Sequence, residues 1–374
     1  MRWDIFCKIV DNFGDIGVCW RLARQLEAEH SLKICLWIDD LHVAKQLIPT
    51  LDLTQETQVI QNITIAAWRT DTVFHAPAGV VIEAFSCELP QDYIAKMQTD
   101  TVWLNLEYLS AEHWVESFHA GNSKRDKLTR HFFFPGFTSS TGGLLREHDI
   151  VTHQQQIAND KETQAQFLQN LGLNHSDRLK VSLFSYPHAP IEQLLDAMAN
   201  SNQPTDCYVP ASSILPKVVN YFSKHAVITN KVLTYKNLHL HVLPFLSQAD
   251  YDTLLAICDI NFVRGEDSWI RAIWAGKPFI WQPYFQSEDT HIIKLNVFLN
   301  LFYSDCDETA KKSTCEAHAA WASDCISTMT WQNYLNDIAT LKTFTLQQTL
   351  TLEAQADLAT KLVIFSENLL KNKV

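Results

Sequence analysis

Asp11-Asn12-Phe13-Gly14-Asp15-Ile16-Gly17 is a short polar stretch that lies between two apolar segments of different pattern. The run Ile5 to Val10 precedes it, and Val18 to Glu29 follows it with apolar residues at helical spacing. This order predicts a buried strand, a tight loop and a helix. A strand that leads through such a loop into a helix is the repeating unit of α/β proteins with a parallel sheet.

The loop also has features that point to a ligand. Backbone N–H groups at the start of the helix favour an anion or a polar group, and Gly14 and Gly17 allow the chain to turn sharply beside it. Two carboxylates, Asp11 and Asp15, lie within the same loop. One aspartate at this position is commonly only a helix N-cap. The loop alone is therefore consistent with a structural cap or with a chemical role.

Composition narrows the class of protein. The 374 residues are enough for about two domains, and 47% of them are hydrophobic. A formal net charge of −12 disfavours nucleic acid as a partner, because phosphate contacts need clustered Lys and Arg. Nine scattered cysteines without a C-x-x-C pair predict reduced thiols in a cytoplasmic protein. We expect no signal peptide and no membrane span.

Short apolar strands alternate with helices in two successive series. We predict an N-terminal Rossmann-like domain (1–155), a polar interdomain connection (156–178) and a C-terminal Rossmann-like domain (179–345). A C-terminal helix (346–374) is expected to pack back on the N-terminal domain. The last 60 residues are predicted to form two helices, about Glu316 to Leu341 and Gln347 to Leu370. Because ligands of such sheets bind at the carboxyl ends of the strands, we expect the site in a cleft between the two domains.

Glycine is scarce, and its distribution is uneven. Seven of the ten glycines fall into three groups, which the strand pattern places after predicted strands: Gly14 and Gly17; Gly136, Gly142 and Gly143; Gly265 and Gly276. Each group taken alone could be only a tight connection. Taken together, they favour backbone that approaches a ligand at strand ends.

A second charged loop, Arg264-Gly265-Glu266-Asp267-Ser268, repeats the design of the first. Asp267 or Ser268 could be only an N-cap, but Glu266 beside Asp267 exceeds what capping needs. Backbone N–H groups after Gly265 could hold a diphosphate, and the carboxylates could accept sugar hydroxyls. This combination fits a nucleotide-sugar donor.

With these loops, the chain resembles the EarP family of protein-arginine rhamnosyltransferases, which act on translation elongation factor P. The similarity extends over nearly the whole sequence. It is carried by Asp11–Gly17 with Trp20-Arg-Leu-Ala-Arg24, by Asn105-Leu-Glu-Tyr-Leu-Ser110, by Phe134-Pro-Gly-Phe137 with Gly142-Gly143-Leu144, and by Arg264–Ser268 through Ala275-Gly-Lys-Pro-Phe279.

The resemblance implies a GT-B glycosyltransferase, in which two Rossmann-like domains face a central cleft. It implies inverting transfer of rhamnose from the co-substrate TDP-β-L-rhamnose to an arginine of elongation factor P, without a cofactor or metal. The N-terminal domain would form the acceptor side and the C-terminal domain the donor side. By motif, Asp15 corresponds to the general base and Glu266 to a second essential carboxylate. The implied donor-binding residues are Asn12, Phe13, Gly14, Asp15, Tyr186, Pro244, Phe245, Arg264, Gly265, Glu266, Asp267, Ser268, Tyr284 and Gln286.

The chemistry of the residues agrees with these roles. A guanidinium is protonated at neutral pH, so a carboxylate that pairs with it can orient it and take its proton as the new bond forms. Asp11 could assist as a second partner or fix the loop. Glu266 could hold a sugar hydroxyl or balance positive charge on the sugar ring. Glu83 and Glu107 are either structural acids or part of the acceptor site.

Two patterns suggest metal binding only weakly. Asp305-Cys-Asp307 has the D-x-D form, but its polar setting predicts a solvated loop, and His239-x-His241 fits an alternating strand.

Two other functions remain open from the residues: a nucleotide-sugar epimerase or hydrolase of similar architecture, and a non-enzymatic sensor of a nucleotide sugar. Product formation from TDP-rhamnose without an acceptor protein would favour the epimerase or hydrolase.

Overall fold

A computed structural model describes residues 1–11, 13–225, 227–229, 232–323 and 325–371. Its contacts divide the chain into two units. Unit 1 comprises Met1–His148 together with Glu353–Val374, and unit 2 comprises Asp149–Leu352. The polar stretch at 156–178, predicted as a connection, lies within unit 2.

The described part of unit 1 contains an eight-stranded sheet in the order β3-β4-β2-β1-β5-β6-β8-β7. The inner strands are parallel, whereas β3 and β7 pair antiparallel at the two edges. The strands are β1 (Arg2–Cys7), β2 (Lys33–Ile38), β3 (Thr57–Ile60), β4 (Ile63–Ala67), β5 (Val80–Ala84), β6 (Val102–Leu106), β7 (Asn122–Arg125) and β8 (Leu128–Phe133). The helices are α1 (Phe13–His30), α2 (Leu41–Leu47), α3 (Gln91–Lys96), α4 (Trp114–Phe118) and, from the end of the chain, α15 (Leu358–Lys371).

The centre of this sheet is apolar on both faces, as expected for parallel strands covered by helices. Every residue of β5 and β6 is buried. One face carries an aromatic cluster around Phe6, whose ring lies 4.7 Å from Tyr93 and 5.7 Å from Trp37. This core fixes the positions at which β1, β5 and β6 end, and those ends carry the polar residues described below.

Helix α15 is part of unit 1 although it follows unit 2 in the chain. Gln25 of α1 donates a hydrogen bond to Asp357 (3.0 Å), and the backbone N–H of Leu358 donates to the carbonyl of Leu144 (2.9 Å). Farther along, Phe365 packs against Phe133, with ring centres 5.6 Å apart. The C-terminal segment thus closes one side of the N-terminal sheet.

Unit 2 contains, in its described residues, a seven-stranded sheet in the order β11-β12-β13-β10-β9-β14-β15. Strands β13, β10, β9, β14 and β15 are parallel, and β12 and β11 extend the sheet antiparallel. The strands are β9 (Leu179–Leu183), β10 (Thr205–Pro210), β11 (Val227–Thr229), β12 (Val232–Tyr235), β13 (Leu238–Leu243), β14 (Ile260–Arg264) and β15 (Phe279–Gln282). The helices are α5 (Ile150–Asn159), α6 (Lys161–Asn170), α7 (Ile191–Ala199), α8 (Leu215–His225), α9 (Gln248–Ile257), α10 (Asp267–Ala275), α11 (Thr290–Phe302), α12 (Glu308–Ala322), α13 (Thr328–Asn336) and α14 (Ile338–Glu353).

The two predicted α/β halves are therefore confirmed, but the prediction of two closing helices is wrong. Four helices, α12 to α15, occupy the described residues after 307. The side chain of Ser327 accepts a hydrogen bond from the N–H of Thr330 and starts α13 anew. Asp357 likewise accepts from the N–H of Thr360 (3.0 Å) at the start of α15. A cap of this kind ends one helix and starts the next while apolar residues continue at helical spacing. The spacing of apolar residues in the sequence therefore does not reveal the break.

Two further sequence expectations concern the environment of the chain. All nine cysteines are free thiols in the structure, and seven of them are buried. Among the described residues, no helix has the length and apolar character that crossing a membrane requires.

Candidate active site

Asp15 lies in the first turn of α1, directly after β1, and only 2% of its surface is exposed. Its Oδ2 atom accepts hydrogen bonds from the backbone N–H groups of Val10 (2.7 Å) and Asp11 (2.8 Å). Its Oδ1 atom accepts one from the hydroxyl of Tyr108 (3.2 Å). The carboxylate therefore joins the chain that enters the helix to the end of β6, with both oxygens in defined positions.

The rest of this loop differs from the prediction in one respect. Helix α1 begins at Phe13, so Gly17 lies inside the helix and not in the loop. A turn closed by the N–H of Gly14 and the carbonyl of Asp11 (2.7 Å) leads directly into the helix. A Cβ at Gly14 would lie 2.9 Å from Oδ2 of Asp11, so a larger residue here would displace that carboxylate. Asn12, a predicted donor contact, lies outside the described residues, and Phe13 is half-buried.

Two acids at the ends of β5 and β6 have different environments. Glu83 is buried and accepts hydrogen bonds from Trp103 Nε1 and the N–H of Glu88 (both 3.0 Å), which identifies it as a structural acid. Glu107 is half-buried, and its Oε1 accepts from Ser86 (3.2 Å) and Asn105. Burial raises the pKa of Glu107 above its ordinary value, although these two hydrogen bonds oppose the shift.

An aromatic pair that the sequence did not reveal lies beside these acids. The rings of Phe85 and Tyr108 are stacked, with centres 4.3 Å apart and planes inclined by 13°. Phe85, Ser86 and Glu88 all adopt positive φ (56°, 54° and 60°), which is uncommon for residues other than glycine. Backbone strain of this kind clusters at functional sites. No sequence signal identifies it, because none of the three residues is one that usually adopts this conformation.

Unit 2 collects most of the predicted donor contacts at the carboxyl ends of β9, β14 and β15. The guanidinium carbon of Arg264 lies 4.5 Å from the ring centre of Tyr186 and 4.6 Å from that of Phe184. The backbone N–H of Tyr186 donates to Oε1 of Gln282 (2.8 Å). These contacts fix the guanidinium at the sheet edge. Phe184 and Gln282 were not anticipated from the sequence.

The loop between β14 and α10 is held by its own residues. Gly265 has φ of +59°, its N–H donates to the carbonyl of Gln282 (3.0 Å), and its carbonyl accepts from Trp281 Nε1 (2.8 Å). The hydroxyl of Ser268 bonds both the N–H (2.9 Å) and the carbonyl of Arg264. The N-cap of α10 is Glu266, whose side chain makes no capping hydrogen bond. The alternative that Asp267 or Ser268 is the N-cap is therefore wrong.

The remaining predicted contacts are more exposed. Tyr284 is 48% exposed and meets Tyr186 edge-on, with ring centres 5.8 Å apart. His188, another residue that the sequence analysis missed, stacks on Tyr186 at 5.6 Å. The backbone carbonyl of Gln286 lies 3.1 Å from Nδ1 of His291. Pro244 and Phe245 are exposed after β13, which β10 separates from β9 in the sheet.

Gly136, Gly142, Gly143 and Gly276 have a packing explanation. A Cβ at Gly142 would lie 2.5 Å from the Phe133 ring, and one at Gly136 would lie 2.8 Å from the Thr141 side chain. Gly143 has φ of +75° and lies against the carbonyl of Ala356, in the turn before α15. Gly276 has φ of +65° and is the C-cap of helix α10, so it does not follow a strand as predicted. Close packing accounts for these glycines.

The weak metal patterns also have local explanations. Asp307 accepts hydrogen bonds from the N–H groups of Thr309 (3.0 Å) and Ala310 (3.1 Å) and caps α12. His241 Nε2 lies 2.9 Å from Asp206 Oδ1, and His239 contacts Thr234. Within the residues that the structure describes, no three His, Cys, Asp or Glu side chains are grouped as metal ligands.

Comparison with known proteins gives the family. A family model described as Elongation-Factor P (EF-P) rhamnosyltransferase EarP matches residues 3–367. The chain belongs to the EarP family. A protein-arginine rhamnosyltransferase of Pseudomonas putida is 40% identical over 371 residues, which are 98% of each chain. The one of Pseudomonas aeruginosa is 42% identical over 306 residues, 80% of this chain and 81% of the relative. The chain is thus a glycosyltransferase of the rhamnosyltransferase class.

Solved structures agree with the fold. One described as "Structural basis for EarP-mediated arginine glycosylation of translation elongation factor EF-P" has a TM-score of 0.71 at 32% identity and covers 98% of this chain and 99% of its own. MurG of Acinetobacter baumannii has a TM-score of 0.52 at 11% identity, with 98% and 99% coverage. The second likeness concerns the fold alone. The predicted GT-B class, with two Rossmann-like units, is confirmed.

Proposed function

We propose that this EarP-family chain transfers rhamnose from TDP-β-L-rhamnose to an arginine side chain of translation elongation factor P, with inversion at the anomeric carbon. The similarity over nearly the whole length supports the donor and the acceptor. The observation that carries the chemistry is the setting of Asp15. A carboxylate fixed by two backbone N–H groups and one hydroxyl is held ready, at little entropic cost, to orient an incoming guanidinium.

In the proposed reaction, a guanidinium nitrogen of the acceptor attacks the anomeric carbon of rhamnose. The carbon–oxygen bond to the diphosphate breaks, and its electron pair leaves with TDP. The nitrogen loses one proton to Asp15 as the new carbon–nitrogen bond forms, because the protonated guanidinium is a poor nucleophile. Asp11, which lies against Gly14, would pair with the same guanidinium or hold the loop.

Unit 2 would bind the donor. Arg264 at the end of β14 and the N-terminus of α10 supply positive potential for the departing diphosphate. Glu266, whose side chain is not used for capping, would accept a rhamnose hydroxyl or balance charge on the ring. Asp267, Ser268, Tyr186, Tyr284, Gln286, Pro244 and Phe245 complete the proposed donor contacts. The scheme uses no cofactor and no metal, and its acceptor belongs to translation, so we place the protein in the cytoplasm.

The test is the mass of purified elongation factor P after incubation with this protein and TDP-β-L-rhamnose. We expect one deoxyhexose increment, located on an arginine by fragmentation, and an inverted anomeric configuration by NMR. An acceptor in which that arginine is replaced by lysine is the control and should remain unmodified. Consumption of TDP-rhamnose at the same rate without acceptor would contradict the proposal and indicate an epimerase or hydrolase.

A further inference from the structure

Tyr108 is linked to Asp15 across 93 positions of the sequence. Oδ2 of Asp15 accepts two backbone hydrogen bonds, so the carboxylate plane is set by the loop. Oδ1 is then the oxygen that remains for chemistry, and it accepts the hydroxyl of Tyr108 at 3.2 Å. Because a carboxylate oxygen has two acceptor positions, this bond leaves one of them for an incoming N–H group.

The ring of Tyr108 is the accessible part of this pair. Tyr108 is 43% exposed, whereas Asp15 is 2% exposed. The Phe85 ring stacks on it at 4.3 Å, and the positive φ of Phe85 is the backbone conformation from which that stack is made. The next residue, Ser86, donates its hydroxyl to Glu107 (3.2 Å). Phe85 and Ser86, which both have positive φ, are thus each held by a contact, and the Phe85 ring supports one face of the Tyr108 ring.

We propose that Tyr108 is a positioning residue for Asp15, and that the Phe85–Tyr108 ring pair is the platform on which the acceptor guanidinium lies. This inference rests on the proposed function. A planar guanidinium stacks on an aromatic face while its edge donates hydrogen bonds, a geometry that the compact ammonium of lysine cannot reproduce. The hydroxyl of Tyr108 holds the carboxylate, and its ring holds the group from which that carboxylate takes a proton.

Two variants test the two parts of the proposal separately. For each variant, kcat and KM are measured for the acceptor protein at saturating TDP-β-L-rhamnose, and for TDP-β-L-rhamnose at saturating acceptor protein. Tyr108→Phe keeps the ring stack and removes the hydroxyl. We expect kcat to fall about tenfold or more, as for loss of a hydrogen bond to a charged group, with the acceptor KM changed less than about twofold. Phe85→Leu keeps the hydroxyl and removes the supporting ring, and it should raise the acceptor KM about fivefold with a smaller effect on kcat.

A purely structural role would not divide the effects in this way between kcat and the acceptor KM. Tyr221→Phe, which removes a tyrosine–aspartate hydrogen bond (2.7 Å to Asp196) in unit 2, is the matched control.

Each variant is compared with the unmodified chain in the same assay. If that chain transfers rhamnose to arginine and Tyr108→Phe has the same kcat, the positioning role is refuted. If Phe85→Leu leaves the acceptor KM unchanged, the platform is refuted. If the unmodified chain itself makes no product, the proposed function fails first, and the two failures are thereby distinguished. Equal donor affinity in all variants shows that each is folded.

Discussion

The guanidinium carbon of Arg264 lies 4.5 Å from the centre of the Tyr186 ring and 4.6 Å from the centre of the Phe184 ring. An arginine fixed in this way cannot sample the rotamers of a free side chain. Its charge is therefore directed before any diphosphate binds, which lowers the entropic cost of binding. The two aromatic residues that follow β9, Phe184 and Tyr186, both contact this guanidinium.

Arg264→Lys is expected to raise the Kd for TDP about tenfold, because a lysine ammonium loses both the flat ring contact and the bidentate geometry toward phosphate. Isothermal titration with TDP measures this directly. Arg178→Lys is the control, since Arg178 lies before β9 and contacts Asp206 (3.4 Å). An unchanged Kd in Arg264→Lys would exclude Arg264 from the donor site.

Asp15→Asn should lower kcat by at least about 100-fold while the Kd for TDP stays within about twofold. The amide oxygen can still accept from Val10 and Asp11, so the loop keeps its shape and only the base is lost. Asp39→Asn is matched to it, because Asp39 also accepts a backbone hydrogen bond, from Ile9 (2.9 Å), at a strand end of unit 1. Turnover of Asp15→Asn near that of the unmodified chain would remove Asp15 from the mechanism.

Gly143 and Gly172 separate backbone strain from steric contact. Both have nearly the same φ, +75° and +76°, but a Cβ at Gly143 would lie 2.6 Å from the Ala356 carbonyl, whereas a Cβ at Gly172 would have no atom within 4 Å apart from its chain neighbours. Gly172→Ala should cost about 1–2 kcal/mol in the free energy of unfolding, and Gly143→Ala clearly more. Urea denaturation of the two variants compares them. Equal losses would show that the turn before α15 adapts without cost.

We expect Asp206 to contribute a part of the free energy of unfolding that is lost at acid pH. Burial opposes its ionisation, but hydrogen bonds from His241 and Ser176 and the charge of Arg178 outweigh it and hold the pKa of Asp206 below its ordinary value of 3.8. This contribution is complete above pH 3.8 and disappears as the pH falls through the lower folded value, because the unfolded chain takes up the proton first. The difference in unfolding free energy between the unmodified chain and Asp206→Asn should therefore shrink below about pH 4. A difference that stays constant there would contradict the linkage.

Asp307→Ala should lower the free energy of unfolding by about 1 kcal/mol through loss of the α12 cap, without changing kcat. Asp305→Ala alters the other acid of the same D-x-D pattern and should change neither quantity. Treatment with EDTA should leave turnover intact in all three proteins. Inhibition by EDTA, or a kcat loss shared by both variants, would identify a metal site at this loop.

The sequence was most informative where chemistry and local structure coincide. The order of strand, loop and helix around Asp15 and around Arg264–Ser268 follows from local pattern. The carboxyl ends of parallel strands meet at one edge of a sheet. The order of the strands was therefore enough to predict that the polar residues lie close together.

What the sequence could not predict depends on distant residues. Tyr108 meets Asp15 only because β6 and β1 end at the same edge of the sheet, on either side of β5. The stack of Phe85 on Tyr108 requires a positive φ that the residue type disfavours, so local propensity argues against it. Gly142 and Gly143 are explained by Phe133 and Ala356, neither of which could be assigned as a neighbour beforehand.

The return of the chain to unit 1 has a consequence for biosynthesis. Residues 353–371 complete the packing around α1 and β8, and they are made after all of unit 2. A ribosome-bound nascent chain can therefore finish the continuous unit 2 earlier than unit 1, in the reverse of the usual N-terminal-first order. Until α15 emerges, the surface that receives Phe365 stays open to solvent, and chaperones that bind apolar segments would meet the chain there.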